Sequence, residues 1–166
     1  MKKKILVLGS SGQIGLHLYN YLKDKKYLVE KFDICEGKKF DLRKKNNTLL
    51  EKSIKKSDYI FFLAFDVGGS KYIKKFQSTY KFLMNNLKII ANTFELLSKY
   101  KKPFLFASSQ MSNMTYSNYG LLKLIGDRIT STLNGNIGTS DTLIPFDAKT
   151  RTLSGFARGN PACPVN

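Results

Sequence analysis

Lys4-Ile5-Leu6-Val7-Leu8 runs directly into Gly9-Ser10-Ser11-Gly12-Gln13-Ile14-Gly15, so a short apolar run meets three glycines spaced three apart. An apolar run bounded by a breaker reads as a buried strand. After the glycines, Ile14, Leu18 and Leu22 recur at helical spacing, which predicts a helix over 13–25. A strand, a glycine turn and a helix in that order need each glycine for a separate reason. Gly9 allows the sharp turn, Gly12 lets a pyrophosphate approach the backbone, and Gly15 lets helix and strand pack closely. Ser11, Gln13 and Ile14 complete the loop. The helix mouth then offers free N–H groups and a positive dipole end to phosphates. No Lys-Ser/Thr pair follows, which excludes a nucleoside-triphosphate P-loop.

Further along, residues 27–33 read as a second strand ending at Asp33, 18 residues beyond Gly15. A carboxylate about 20 residues past the glycine loop is the expected partner of a ribose 2′-hydroxyl and repels a 2′-phosphate. This favours NAD over NADP, although Lys31, Lys38 and Lys39 stand close by. The other reading of Asp33 is an ordinary strand-end carboxylate.

Phe40-Asp41-Leu42 reads as a short third strand, residues 43–55 as a weak helix, and residues 58–64 as a strand of continuous apolar character. Such strands suit parallel sheets covered on both faces. Ile73, Phe76, Tyr80, Leu83, Leu87, Ile90, Phe94 and Leu97 form one apolar stripe, predicting a single long helix within 71–100. Residues 104–109 read as a strand and 116–132 as a helix. The alternation predicts an α/β, Rossmann-type doubly wound parallel sheet flanked by helices.

The sequence has 166 residues, enough for one domain, here placed at 1–132. Residues 133–166 carry no clear period and read as an irregular tail, with Asn134–Asp141 as loop. The net charge is +16, but 24 of the 28 basic residues are Lys and they are scattered along the chain. Phosphate recognition by paired hydrogen bonds favours Arg, so the charge reads as a solvated surface rather than a nucleic-acid interface. No apolar run is long enough to span a membrane, and the expected location is cytoplasmic. Cys35, Cys163 and the single histidine, His17, lack metal-ligand spacing, so no metal is expected.

Tyr119 and Lys123 lie four apart on a predicted helix, hence on one face. A neighbouring ammonium lowers a phenol's pKa, which predicts that Tyr119 can act as a general base near neutral pH. Ser108 and Ser109 end the preceding strand at the carboxyl edge of the sheet, where open α/β folds bind ligands.

Taken together these residues resemble the extended short-chain dehydrogenase/reductases, in particular the NAD-dependent nucleotide-sugar epimerases and dehydratases. The resemblance runs over residues 4–132. It rests on Gly9, Gly12 and Gly15, on Asp33, Asp41-Leu42 and Leu63-Ala64-Phe65, and on Asn86, Ser108-Ser109, Tyr119 and Lys123. It implies that Asp41 and Leu42 contact adenine and that Leu63, Ala64 and Phe65 line the cofactor cleft. Asn86 would brace the site. Ser108 or Ser109 would bond the sugar oxygen, Tyr119 would be the acid/base, and Lys123 would hold the nicotinamide ribose and tune Tyr119. It also implies a nucleotide-sugar substrate, a homodimer through helices 71–100 and 116–132, and a C-terminal substrate domain that is not recognisable here.

Gln110 and Met111 stand where dehydratases of this kind carry an Asp-Glu pair. Gln110 also replaces a Cys used for 3,5-epimerisation, and no downstream His exists. The remaining chemistry is redox at one sugar carbon, as in a 4-epimerase or a reductase. The alternative is a non-catalytic NAD(P)-binding module or an inactive fragment of such an enzyme.

Overall fold

The computed structural model describes residues 2–114 and 116–138. Five parallel strands form one sheet: β1 (Lys4–Leu8), β2 (Leu28–Phe32), β3 (Tyr59–Phe62), β4 (Phe104–Ala107) and β5 (Asn136–Gly138), in the order β2-β1-β3-β4-β5. Five helices connect them: α1 (Gln13–Asp24), α2 (Thr48–Lys56), α3 (Ser70–Phe76), α4 (Tyr80–Tyr100) and α5 (Asn118–Thr132). This is the Rossmann-type doubly wound sheet expected from the alternation. The chain leaves β1 for β2 on one side and later returns to place β3 on the other. The strand order therefore reverses between β1 and β3, and the crevice at their carboxyl ends is the natural ligand position.

Apolar side chains alternate across the sheet into two unequal cores. Leu6, Leu8, Phe32, Ile60, Phe62, Phe104 and Phe106 face Leu50 and Ile54 of α2, Phe82, Ile89, Ile90, Phe94 and Leu97 of α4, and Leu122 of α5. Phe94 lies within 5.3–5.8 Å of the Phe62, Phe104 and Phe106 rings, a cluster of edge-on and tilted aromatic contacts that adds to simple burial. On the opposite face, among the described residues, α1 provides the cover: Leu18 and Leu22 lie over Ile5 and Val7, with Val29, Phe61 and Leu63 partly buried beside them.

Three sequence expectations are corrected. Residues 40–42 are not a strand. Phe40 closes a 3-10 turn (Lys38–Phe40), and the Asn47 amide donates to the carbonyls of Lys39 and Asp41, which fixes this stretch as a tight connection. The same Asn47 caps α2 by accepting from the N–H groups of Leu49 and Leu50. Second, the long apolar stripe spans two helices. Thr79 donates its hydroxyl to the Phe76 carbonyl and accepts the Phe82 N–H, so it stops α3 and caps α4. The break is short enough that the 3–4 spacing continues through it. Third, Asn136–Gly138 lies in a segment read as loop, yet forms β5 against β4, so the sheet extends past residue 132. The rest of the tail, 139–166, falls outside the described residues. Among the described residues, no helix is long and apolar enough to cross a membrane.

Candidate functional site

The glycine loop closes the β1 end of the crevice. Gly9 has φ +85°, a left-handed conformation that disfavours side chains, and a Cβ there would lie 2.6 Å from the Ala64 backbone nitrogen. A Cβ on Gly15 would stand 2.0 Å from the Gly9 carbonyl oxygen. These two glycines are therefore required by the protein's own packing. Gly12 differs: its nearest neighbour would be the Gly9 oxygen at 3.3 Å, with nothing else crowding it. Gly12 is also the N-cap of α1 and supplies no side-chain hydrogen bond to the first-turn N–H groups. Those donors lack intrahelical partners by construction. An open helix mouth without a capping side chain suits an outside anion. The loop therefore fits the diphosphate of a dinucleotide, with Ser11, Gly12, Gln13 and Ile14 around it.

Asp33 sits at the end of β2, where the sequence placed it, and accepts the N–H of Ser11 at 3.0 Å and of Cys35 at 3.0 Å. Its carboxylate thus fastens the glycine loop. A carboxylate has acceptor capacity beyond two hydrogen bonds, so a ribose hydroxyl can still bind there. Leu63, Ala64 and Phe65 follow β3 across the crevice, with Ala64 against Gly9. Asp41 is bound by Arg43 through two side-chain contacts of 2.9 Å. Burial raises the Asp41 carboxyl, but the hydrogen bonds and charge of Arg43 outweigh it and hold it below the usual carboxylate range. Leu42 turns its side chain into the core, and its carbonyl accepts from the Asn92 amide. Only part of the Asp41-Leu42 pair is therefore open to an adenine.

The second corner lies beyond β4. Tyr119, near the start of α5, packs edge-on against Phe65 with 5.7 Å between ring centres, and Ser109, whose hydroxyl accepts the Met111 N–H, stands near enough to pull its phenol down. Ser108 turns elsewhere and donates to Asp127 at 2.7 Å. Of the two serines, Ser109 is the one that meets the tyrosine. Lys123 is buried, with 4 % of its surface exposed, and donates to the Ala107 carbonyl at 2.6 Å. Its ammonium stands 3.9 Å from the Phe65 ring centre and 5.9 Å from that of Tyr119.

The expected tuning is not what this arrangement produces. Burial pushes the Tyr119 phenol up, and the neighbouring Ser109 offsets only part of that. Burial also pushes Lys123 down to about 7, with the charge of Asp127 opposing. The lysine's charge is thus weakened by the same burial that raises the phenol.

Asn86 of α4 ties down the loop after β3. It is fully buried; its carbonyl accepts the Asp66 N–H at 2.7 Å, and its amide donates to the carbonyls of Asp66 and Phe82. Two residues were not singled out by the sequence. Asp66 accepts from Tyr72 and Asn85 and so ties the loop after β3 to α3 and α4. Gln77, in the break between α3 and α4, accepts the Ser117 hydroxyl at 2.7 Å and the Tyr119 N–H at 3.4 Å, and its carbonyl accepts the Asn118 amide. The helix break thus frees Gln77 to position the start of α5. An Asn-Gln-Ser-Thr cluster at positions 77–79 and 85–86 was the available signal, but its partners lie about forty residues away in sequence.

A comparison with curated protein sequences returns no match. Among solved structures, the chain is similar to a dTDP-4-dehydrorhamnose reductase from Bacillus anthracis in complex with NADP (TM-score 0.67, 16% identity, covering 84% of this chain and 53% of that one). It is also similar to a UDP-glucose 4-epimerase from Brucella ovis in complex with NAD (TM-score 0.64, 16% identity, 82% and 50%). A third is a GDP-L-fucose synthetase from Naegleria fowleri bound to NADP (TM-score 0.63, 16% identity, 82% and 52%). The chain spans about half the length of these structures, and at such identity the likeness shows the fold. The family model for the NAD dependent epimerase/dehydratase family matches residues 5–142, most of the sequence and all five strands but the first residue of β1. The chain belongs to the NAD dependent epimerase/dehydratase family.

Proposed function

We propose that this chain carries the nicotinamide-dinucleotide half of an epimerase or reductase acting on a nucleotide sugar. One observation carries the reading. An open glycine-lined helix mouth, packed against Leu63 and Ala64, and a Ser109–Tyr119–Lys123 cluster, packed against Phe65, lie at the carboxyl ends of strands of one parallel sheet. A bound nicotinamide dinucleotide would supply the redox chemistry. The Gly9–Gly15 loop would hold its diphosphate, and Asp33 a ribose hydroxyl. The carboxylate of Asp33 supports NAD, whereas two of the three similar structures were obtained with NADP.

Tyr119 moves the proton at the sugar oxygen, and Ser109 orients that oxygen. Because burial favours the protonated phenol, this arrangement suits proton donation to a keto oxygen, the direction of reduction, better than abstraction from an alcohol. Lys123 stands beside Tyr119, its ammonium 5.9 Å from the phenol ring centre. The helices α4 and α5 carry exposed Leu87 and Leu121, which suit them to pair with a second copy.

Titration with NADH, followed by its fluorescence, tests the binding step, and saturation is expected. In the presence of a keto nucleotide sugar, Tyr119→Phe should lose turnover by about a hundredfold or more while still binding NADH. The competing reading is a binding module without turnover, favoured by the burial that raises Tyr119 and weakens the charge of Lys123. It predicts saturable NADH binding and no turnover of any nucleotide sugar by the parent.

A further inference from the structure

Asp127 stands one helical turn beyond Lys123 and two turns beyond Tyr119 on α5. One of its carboxylate oxygens accepts the Ser108 hydroxyl at 2.7 Å. The other, Oδ1, is buried and has no hydrogen-bond partner. A buried acceptor without a partner is costly, so simple packing does not account for an acid here. The Lys123 ammonium has three donors. The Ala107 carbonyl takes one, and the Phe65 and Phe106 ring faces lie 3.9 and 5.0 Å from the nitrogen. No carboxylate forms an ion pair with Lys123 among the described residues. Around it stand the Tyr119 phenol and Asp127 on α5, the carbonyl of β4, and the two aromatic rings. Among the described residues, Asp127 is the one negative charge that acts on it.

We propose that Asp127, locked in place by Ser108, is a positioning residue that supplies the counter-charge for the buried Lys123. The proposal rests on reading Tyr119 and Lys123 as the proton-handling pair. It divides the two serines: Ser109 serves Tyr119, and Ser108 serves Asp127. A hydroxyl donating to a carboxylate fixes its rotamer. The carboxylate's charge, held across one helical turn, opposes the pull of burial towards neutral lysine.

The test follows the Cε resonance of Lys123 in the full chain carrying isotope-labelled lysine, assigned by its loss in Lys123→Met, as pH is raised. Asp127→Asn keeps an acceptor for Ser108 and removes only the charge. It should lower the Lys123 midpoint, cutting the ratio of charged to neutral lysine about threefold or more at fixed pH. Asp127→Glu should restore it, which guards against a variant that merely folds poorly. An Asp127→Asn titration superimposed on the parent's would overturn the proposal. The measurement needs neither cofactor nor turnover, so it is separable from the functional reading. Failure of the parent to bind NADH would overturn that reading and leave the lysine result standing.

Discussion

The two corners of the crevice are built from different materials. At the β1 corner the working parts are backbone amides, exposed because side chains are missing. At the β4 corner they are side chains, and their chemistry is set by what buries them. A corner made of absent side chains can be read directly from residue types. A corner made of side chains depends on contacts that residue types do not state.

The sharpest way to break this contrast is to restore a side chain where backbone approaches backbone. Gly15→Ala places a Cβ 2.0 Å from the Gly9 oxygen, and Gly120→Ala places one 2.2 Å from the Met111 oxygen. Neither neighbour is a flexible side-chain end, so each variant should lose about 3 kcal/mol of stability by urea unfolding. If Gly120→Ala proves harmless, the β4 corner is looser than its contacts imply.

Lys123→Met probes burial at the β4 corner. Lys123 is held at about 7 in the folded protein, below the ordinary lysine value. The unfolded chain therefore binds this proton more tightly, and the parent gains stability as pH rises from about 7 towards the ordinary lysine range. The Met variant lacks that term. It should be more stable than the parent near neutral pH, by about 1 kcal/mol or more, with the gap closing as pH rises. Unfolding curves at neutral and alkaline pH measure the gap. A gap that stays constant would show that Lys123 is not held near neutrality.

Gly12→Ala gives the smallest stability change and the most specific one. A Cβ there meets only the Gly9 oxygen, at 3.3 Å, which must give by a few tenths of an ångström, so the cost should stay under about 1 kcal/mol. NADH affinity should nevertheless fall about tenfold or more, because the added methyl occupies the mouth that the diphosphate needs. Equal losses at Gly12 and Gly15 would mean that Gly12 too serves only packing.

Residue types alone determined the parallel α/β sheet, because apolar runs, helical stripes and breakers each report a local period. They also located the open helix mouth, since a missing side chain has the same consequence in any surroundings. They singled out Asp33, Ser108, Ser109, Tyr119 and Lys123 as candidates, whereas Asn86 entered only through the family resemblance. Only the tertiary structure decided that 40–42 is a turn, that Thr79 splits one stripe into two helices, and that β5 joins the sheet. Each depends on a hydrogen bond or strand partner remote from the local pattern. It alone decided that Ser108 faces Asp127, that Gln77 holds the start of α5, and that burial raises Tyr119 while lowering Lys123. Those outcomes are sums over neighbours brought together from distant parts of the chain, and a spacing of four residues on a helix contains none of them.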